Sequence, residues 1–455
     1  MKKNVFRFVT ILSSIFCLSA CQGQNKSSFS INSNYISVIE NEYKVKQLRN
    51  PDDLSHTVDY NVTSNLNYKA FKEKIRVFSS KISDSFIKSD YSNDTNITIS
   101  PLSIELCLGL AVCCANGDTR TEILNALDVD FATFNQYYKV FYDELSSEFI
   151  NEAGDLESQL LLTNSLWIDD DIKLLDSGLD ALNNDYYCHS FDADFGANNA
   201  LTVEAMKYFV EQKTKGLIKP DFKFNVNTLF VLMNTLYLKD IWKEGGEDLT
   251  TTKDYKFTNA NKSVSGKPLL MGGYTNGRVY KTDDYSCFYT ATRHGYYIYF
   301  VKPHGDKALK DVFNQKAVLD VLNNKNYVLQ DDKNLARYHT RCIFPEFNAD
   351  CDIDLINMFI NDFNIKLMFS DATCDFTNIT TENGYIDQIK HLAKLEVNKT
   401  GIEGAAVTYM SYATKAGPDE YKDIYDDFLV DQEFGFILTT YDGDVLFSGA
   451  VTNID

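Results

Sequence analysis

The chain has 455 residues and carries 64 acidic against 44 basic side chains, a formal net charge of −20. So acidic a surface argues against nucleic acid, heparin-like polyanions or an anionic membrane surface as partners. No G-x-S-x-G, H-E-x-x-H, P-loop or G-x-G-x-x-G stands in a supporting context, so the sequence nominates no catalytic residue, no metal ligand and no cofactor.

In chain order, Lys2, Lys3 and Arg7 precede an apolar run from Phe8 to Leu18 that is too short to span a bilayer as a permanent helix. The run closes on Leu18-Ser19-Ala20-Cys21, which resembles the lipobox of bacterial lipoproteins, where the cysteine becomes the lipidated first residue. The plainer alternative is a cleavable signal followed by an incidental cysteine. The lipobox reading makes residues 1–20 a signal peptide and Cys21 the lipidation site. It places the protein in the cell envelope, anchored by its N-terminal lipid alone. Gln22 then favours the outer membrane, with the periplasmic or surface face left open. From Gly23 to Asn67 the chain is rich in Ser, Asn and charge and shows little apolar periodicity, so residues 21–67 read as a flexible tether. Residues 68–455 hold no Pro/Gly/Ser linker and no internal repeat, and read as one folded domain.

Phe71, Ile75, Phe78, Ile82 and Phe86 recur at three- and four-residue steps, which predicts an amphipathic helix. Ser100-Pro101 then caps a helix from Leu102 to Ala115 whose single charge is Glu105. A helix apolar nearly all round must be surrounded by protein, so it is predicted at the centre of a large core. Segments 161–168, 228–238, 297–301 and 434–440 read as strands, several of them apolar on both faces. Asn234 interrupts one of these runs, and a buried amide there needs hydrogen-bond partners. Eight cysteines besides Cys17 and Cys21 match no disulfide scaffold or zinc spacing, and read mostly as small buried hydrophobes.

Asn96-Ile97-Thr98-Ile99-Ser100-Pro101-Leu102-Ser103-Ile104, followed by Ala115-Asn116-Gly117-Asp118-Thr119, resembles the signature around the buried helix of the serpins. Further landmarks fall in that family's order: Asn164-Ser165-Leu166-Trp167-Ile168; Val210, Thr214 and Gly216; the run from Asn234 to Trp242; Pro345-Glu346-Phe347; Asp375-Phe376; and the C-terminal strands around Phe434-Gly435-Phe436 and Leu446-Phe447-Ser448-Gly449. The resemblance implies an α+β fold with three β-sheets, eight or nine helices and an exposed reactive-centre loop. It implies a shutter of Ser100, Ser103, Asn234 and His391 beneath the middle of the main sheet, and a breach at Trp242.

Lys399-Thr400-Gly401-Ile402-Glu403-Gly404-Ala405-Ala406-Val407-Thr408 is similar to the serpin hinge, which enters the main sheet as a new strand once the loop is cut. In an extended chain Ile402, Gly404, Ala406 and Thr408 share one face, while Glu403, Ala405 and Val407 share the other. The resemblance places the reactive bond fourteen residues after Gly401, between Lys415 and Ala416. Because the loop is longer than family habit, Lys422 is the second candidate. A lysine there suits a target serine protease that cleaves after Lys or Arg. The implied function is irreversible suicide-substrate inhibition of a trypsin-like serine protease, by a monomer that is not itself an enzyme. The alternatives are a non-inhibitory serpin that binds or builds, and an inhibitor of a cysteine protease. Ile402, Lys399, Glu433, Phe209 and Ala450 depart from the family's usual residues.

Overall fold

The computed structural model describes residues 34–455 apart from 225–227, 243–247, 332, 383, 387 and 403–420. The chain opens with α1 (Asn34–Asn41) and β1 (Lys46–Arg49), then the long α2 (Leu66–Asp90), α3 (Pro101–Cys114) and α4 (Phe131–Leu145). It continues through β2 (Leu156–Asp169), α5 (Asp176–Tyr186), β3 (Cys188–Ala193), α6 (Asn199–Lys213) and β4 (Phe230–Ile241). After a set of shorter strands come β5 (Ala336–Phe344), β6 (Phe347–Asp354), α7 (Ile356–Asp362), β7 (Lys390–Val397), β8 (Gly401–Ile402) and β9 (Lys422–Leu429). Among the described residues there are eleven α-helices, against the eight or nine expected. Two of them, Tyr60–Thr63 and Leu309–Val312, are single turns that leave no periodic signal.

The main sheet runs β1-β3-β2-β4-β8-β7-β6. One register pair, Asp350 with Ile97, joins it to a second sheet built from 97–99, 445–451, 434–439, 297–303, 285–291 and 280–281. A separate sheet of five strands contains β5 and β9, which pair in parallel. The three expected sheets are therefore present, two of them fused into one ladder.

Phe71, Ile75, Phe78, Ile82 and Phe86 are all buried on α2, as their spacing predicts. Ser100 caps α3 by accepting a hydrogen bond from the Ser103 N–H, and Pro101 takes the first turn. Glu105, the one charge on α3, is buried and receives the Ser79 hydroxyl; loss of solvent holds its carboxyl well above the usual range. Gly109 is needed because a Cβ there would stand 2.1 Å from the Tyr138 ring. Along β4, Leu232 faces the α3 side, whereas Val231 and Met233 face a second apolar cluster beneath α6 with Trp167 and Phe191.

The predicted tether boundary is corrected by the structure. From Asn34 onward the segment is packed: Tyr35, Ile39 and Val45 are buried in the cluster beneath α6, and β1 pairs antiparallel with β3 at the edge of the main sheet. Three apolar residues in a polar stretch carry no periodicity. They suffice here because the face that receives them and the edge that completes their ladder are supplied by the rest of the fold.

Candidate functional site

The site is built where β4 and β7 run side by side. Among the described residues no ladder joins these two strands directly; at one end Gly401 and Ile402 stand between them. Gly401 pairs with Ile241, and Ile402 pairs with both Asp240 and Val397. Ile402 is 0 % exposed.

The turn from β7 into β8 is made by Asn398, whose side-chain oxygen accepts the Thr400 and Gly401 N–H groups at 2.9 and 3.2 Å. Trp242, the expected breach residue, is buried, and its indole N–H donates to the Asn398 carbonyl at 2.7 Å. Its own N–H reaches the Thr400 carbonyl. Lys399, which departs from the usual glutamate, has an acidic partner: its Nζ lies 2.7 Å from Asp248 Oδ2, and Thr400 Oγ1 donates to the same carboxylate. Lys399 and Thr400 draw the Asp248 carboxyl below its ordinary range.

The four expected shutter residues are brought together below this point. The Ser100 N–H donates to His391 Nε2 at 3.1 Å, and Ser103 Oγ donates to the Asn234 carbonyl at 3.3 Å. Ser103, Asn234 and His391 line one small cavity between α3, β4 and the start of β7, with Cys107 and Leu232. Burial pushes His391 down to about 3, so the ring is neutral and its Nε2 free to accept. The Asn234 amide does not bond to His391. Its Nδ2 donates to Asn164 Oδ1 at 2.8 Å, across the register pair that joins β4 to β2. Asn164 in turn donates to Tyr138 Oη at 3.0 Å and to the Tyr186 carbonyl at 2.7 Å, and Tyr138 donates to the Leu106 carbonyl. The network thus spans β7, α3, β4, β2, α4 and α5. Asn164 and Tyr138 were not singled out as shutter members from sequence, although Asn164 shows the same signal as Asn234, an amide inside an apolar strand. Asn234 Oδ1 is buried without a hydrogen-bond partner among the described residues. Asn234 is therefore only half satisfied in this conformation.

The remaining predicted positions divide into two groups. Glu403, Gly404, Ala405, Ala406, Val407, Thr408, Lys415, Ala416 and Cys21 lie outside the described residues. Lys422 lies inside them, as the first residue of β9, in register with Ala336. Of the other departures, Phe209 is wholly buried against Trp167, Phe191 and His189, Ala450 is buried in the 445–451 strand, and Glu433 accepts the Tyr91 hydroxyl. All eight cysteines among the described residues are free. One trio of carboxylates there, Asp169, Asp170 and Asp194, is close enough to share an ion, but it lies at the opposite end of β2 from the hinge. Asp169 uses its oxygens to accept the Phe195 and Asp171 N–H groups.

A family model described as "Serpin (serine protease inhibitor)" matches residues 73–454. Iripin-1 of Ixodes ricinus is 27 % identical over 383 residues, 79 % of this chain and 90 % of that protein. Serpin48 of the insect Tenebrio molitor superposes with a TM-score of 0.70 at 20 % identity, covering 86 % of this chain and 100 % of that structure. Human thyroxine-binding globulin in complex with thyroxine superposes with a TM-score of 0.67 at 19 % identity, covering 84 % of this chain and 99 % of that one. The last two likenesses concern the fold alone.

Proposed function

Because the chain belongs to the serpin (serine protease inhibitor) family, we propose that it is an irreversible suicide-substrate inhibitor of a trypsin-like serine protease. The observation that carries this reading is the position of Gly401 and Ile402, the first two hinge residues, already seated between β4 and β7. A chain continuing from Ile402 along that seam would complete the ladder between two strands that lack one. About twelve new ladder hydrogen bonds at roughly 0.5–1.5 kcal/mol each amount to an order of 10 kcal/mol before burial is counted. In the proposed cycle the protease attacks the Lys415 carbonyl and Ala416 leaves with the C-terminal fragment. The hinge then enters the sheet and carries the acylated enzyme with it, distorting its active site before water can release it. The native fold works as a kinetic trap, so its operative stability is a rate.

Lys415 is favoured over Lys422 because Lys422 is held in a strand by its neighbours, its N–H donating to the Leu335 carbonyl at 2.7 Å. A protease has to draw the attacked residue into its own cleft in extended form, which a paired strand resists. Anchoring through a lipid on Cys21 in the cell envelope belongs to the same reading and is tested by the mass of the mature N-terminus.

The deciding experiment mixes the purified protein with trypsin and separates the products under denaturing conditions. A covalent band of summed mass, with a released peptide beginning at Ala416, is expected. Complete loop cutting with no trapped enzyme would overturn the inhibitory reading. It would favour a binding role such as the one named for human thyroxine-binding globulin, whose fold this chain shares. A loop that inserts also gives a large rise in melting temperature once nicked, and one that does not insert gives none.

A further inference from the structure

Two carboxylates are wholly buried at the hinge end of the main sheet: Glu157 at the start of β2 and Asp240 near the end of β4, each with a side chain 0 % exposed. His294 stands between them. Its Nδ1 lies 2.6 Å from Asp240 Oδ1, and its backbone N–H donates to Asp240 Oδ2 at 3.1 Å. On the other side of the ring, Nε2 lies 3.3 Å from Glu157 Oε2, and both of these atoms are buried with no hydrogen-bond partner among the described residues.

A neutral ring that donates from Nδ1 to Asp240 turns the lone pair of Nε2 toward a carboxylate oxygen, so two acceptors would face each other. A proton on Nε2 as well makes the contact attractive. Charge counting gives the same answer. Arg293 Nε lies 3.5 Å from Glu157 Oε2, so with an imidazolium two cations face two carboxylates, whereas a neutral ring leaves an uncompensated buried charge. The other groups around the ring do not alter this balance. The Phe149 ring lies against the imidazole with centroids 4.3 Å apart and planes tilted by 36°, Asn151 donates to Glu157 Oε1, Gln159 holds Glu148, and the Tyr296 hydroxyl is bonded to Ser147.

Asp240 is also the residue that pairs with Ile402. We propose that the protonated ring of His294 bolts β2 to β4 at the level where the hinge enters, and so acts as a positioning residue for loop insertion. The bolt keeps β2 and β4 moving as one body, so the sheet parts only at the seam between β4 and β7. This rests on the inhibitory reading above. Without the cation between the two carboxylates, β4 is less firmly held, entry of the hinge slows relative to hydrolysis of the acyl-enzyme, and more protease escapes with the loop cut.

The test uses the full chain, His294→Gln and His294→Arg, with trypsin, and counts inhibitor molecules consumed per enzyme trapped. His294→Arg keeps a cation between the two carboxylates, and His294→Gln removes it. His294→Gln should consume about threefold more inhibitor per enzyme trapped than His294→Arg, with the unchanged chain close to the Arg variant. Equal consumption by the Gln and Arg variants would overturn the proposal. A second measurement needs no protease. Amide exchange along 230–241 should be about tenfold faster in His294→Gln than in His294→Arg, and equal protection would remove the bolt even if the chain traps protease. Failure of all three chains to trap, with the exchange difference present, would instead count against the inhibitory reading.

Discussion

A Cβ on Gly401 would stand 2.2 Å from the backbone oxygen of Asp240 and 2.9 Å from the Cα of Ile241. The hinge reaches its ladder with β4 because this position has no side chain. Gly401→Val should push β8 off the strand at a cost of about 1–3 kcal/mol, the usual penalty for overpacking. Trypsin should then cut the loop of the variant without being retained. Undiminished trapping, read as the covalent band, would contradict the seating of the hinge between β4 and β7.

The two lysines proposed for the reactive bond separate cleanly. Lys415→Ala removes the charge that a pocket with a buried acid recognises, and the rate of trapping trypsin should fall by about a hundredfold or more. Lys422→Ala touches a residue whose backbone is engaged in β9 and should change that rate less than about twofold. Peptide mass after a short digestion identifies the bond directly, and a fragment beginning at Asp423 would reverse the assignment.

How far the sequence was legible follows from what kind of signal each residue leaves. The helix over Phe71–Phe86 carries three- and four-residue apolar spacing and α3 is apolar all round, so the burial of both was readable before any coordinates. Ser100, Ser103, Asn234 and His391 meet as the family resemblance implies, yet the partner of the Asn234 side chain is Asn164. That choice depends on the register between β2 and β4, which no local pattern encodes. Residues 34–50 misled for a related reason. Their stability comes from surfaces elsewhere in the chain, so a polar segment with three well-placed apolar side chains looks like a linker. The Glu157–His294–Asp240 contact joins residues more than fifty positions apart and is visible only in the fold.

Acid should weaken the protein through two histidines that are buried uncharged. Burial pushes His391 down to about 3; burial and then Lys213 push His189 down to about 4, against the pull of Asp52. In the unfolded chain both return to about 6.5. Between these values the unfolded state binds more protons than the folded one, so stability rises with pH there and falls as pH is lowered. Nothing is lost from this source above about pH 7, and most of the loss accrues between about pH 6.5 and about pH 4. The urea midpoint should fall over that range, reporting a loss of stability on the order of a few kcal/mol. His391→Gln, which cannot charge, should flatten the slope, and an unchanged slope would mean that the folded ring is protonated.

The N-terminal segment offers the last prediction. Lys213, at the end of α6, has a side chain 1 % exposed, and its Nζ lies 3.2 Å from Asp52 Oδ1 and 4.4 Å from the centre of the Tyr35 ring. Asp52 also receives the Tyr35 hydroxyl at 2.7 Å and stands 3.3 Å from His189 on β3. Burial alone would raise the Asp52 carboxyl, but His189, Lys213 and Tyr35 together draw it below its ordinary range. One carboxylate therefore ties the N-terminal segment to both α6 and the sheet edge. Asp52→Ala leaves the ammonium of Lys213 buried without its partner, and loss of one member of a buried pair costs about 3–5 kcal/mol. The pairing of β1 with β3 and the packing of Tyr35 and Ile39 should fail together, so amide protection should drop across 34–50 while that of α3 is kept. Replacing both charges, as in Asp52→Ala with Lys213→Met, removes the stranded cation and should recover more than half of the loss. Recovery of none of it would show that the segment is held by its apolar contacts, with the charges as bystanders.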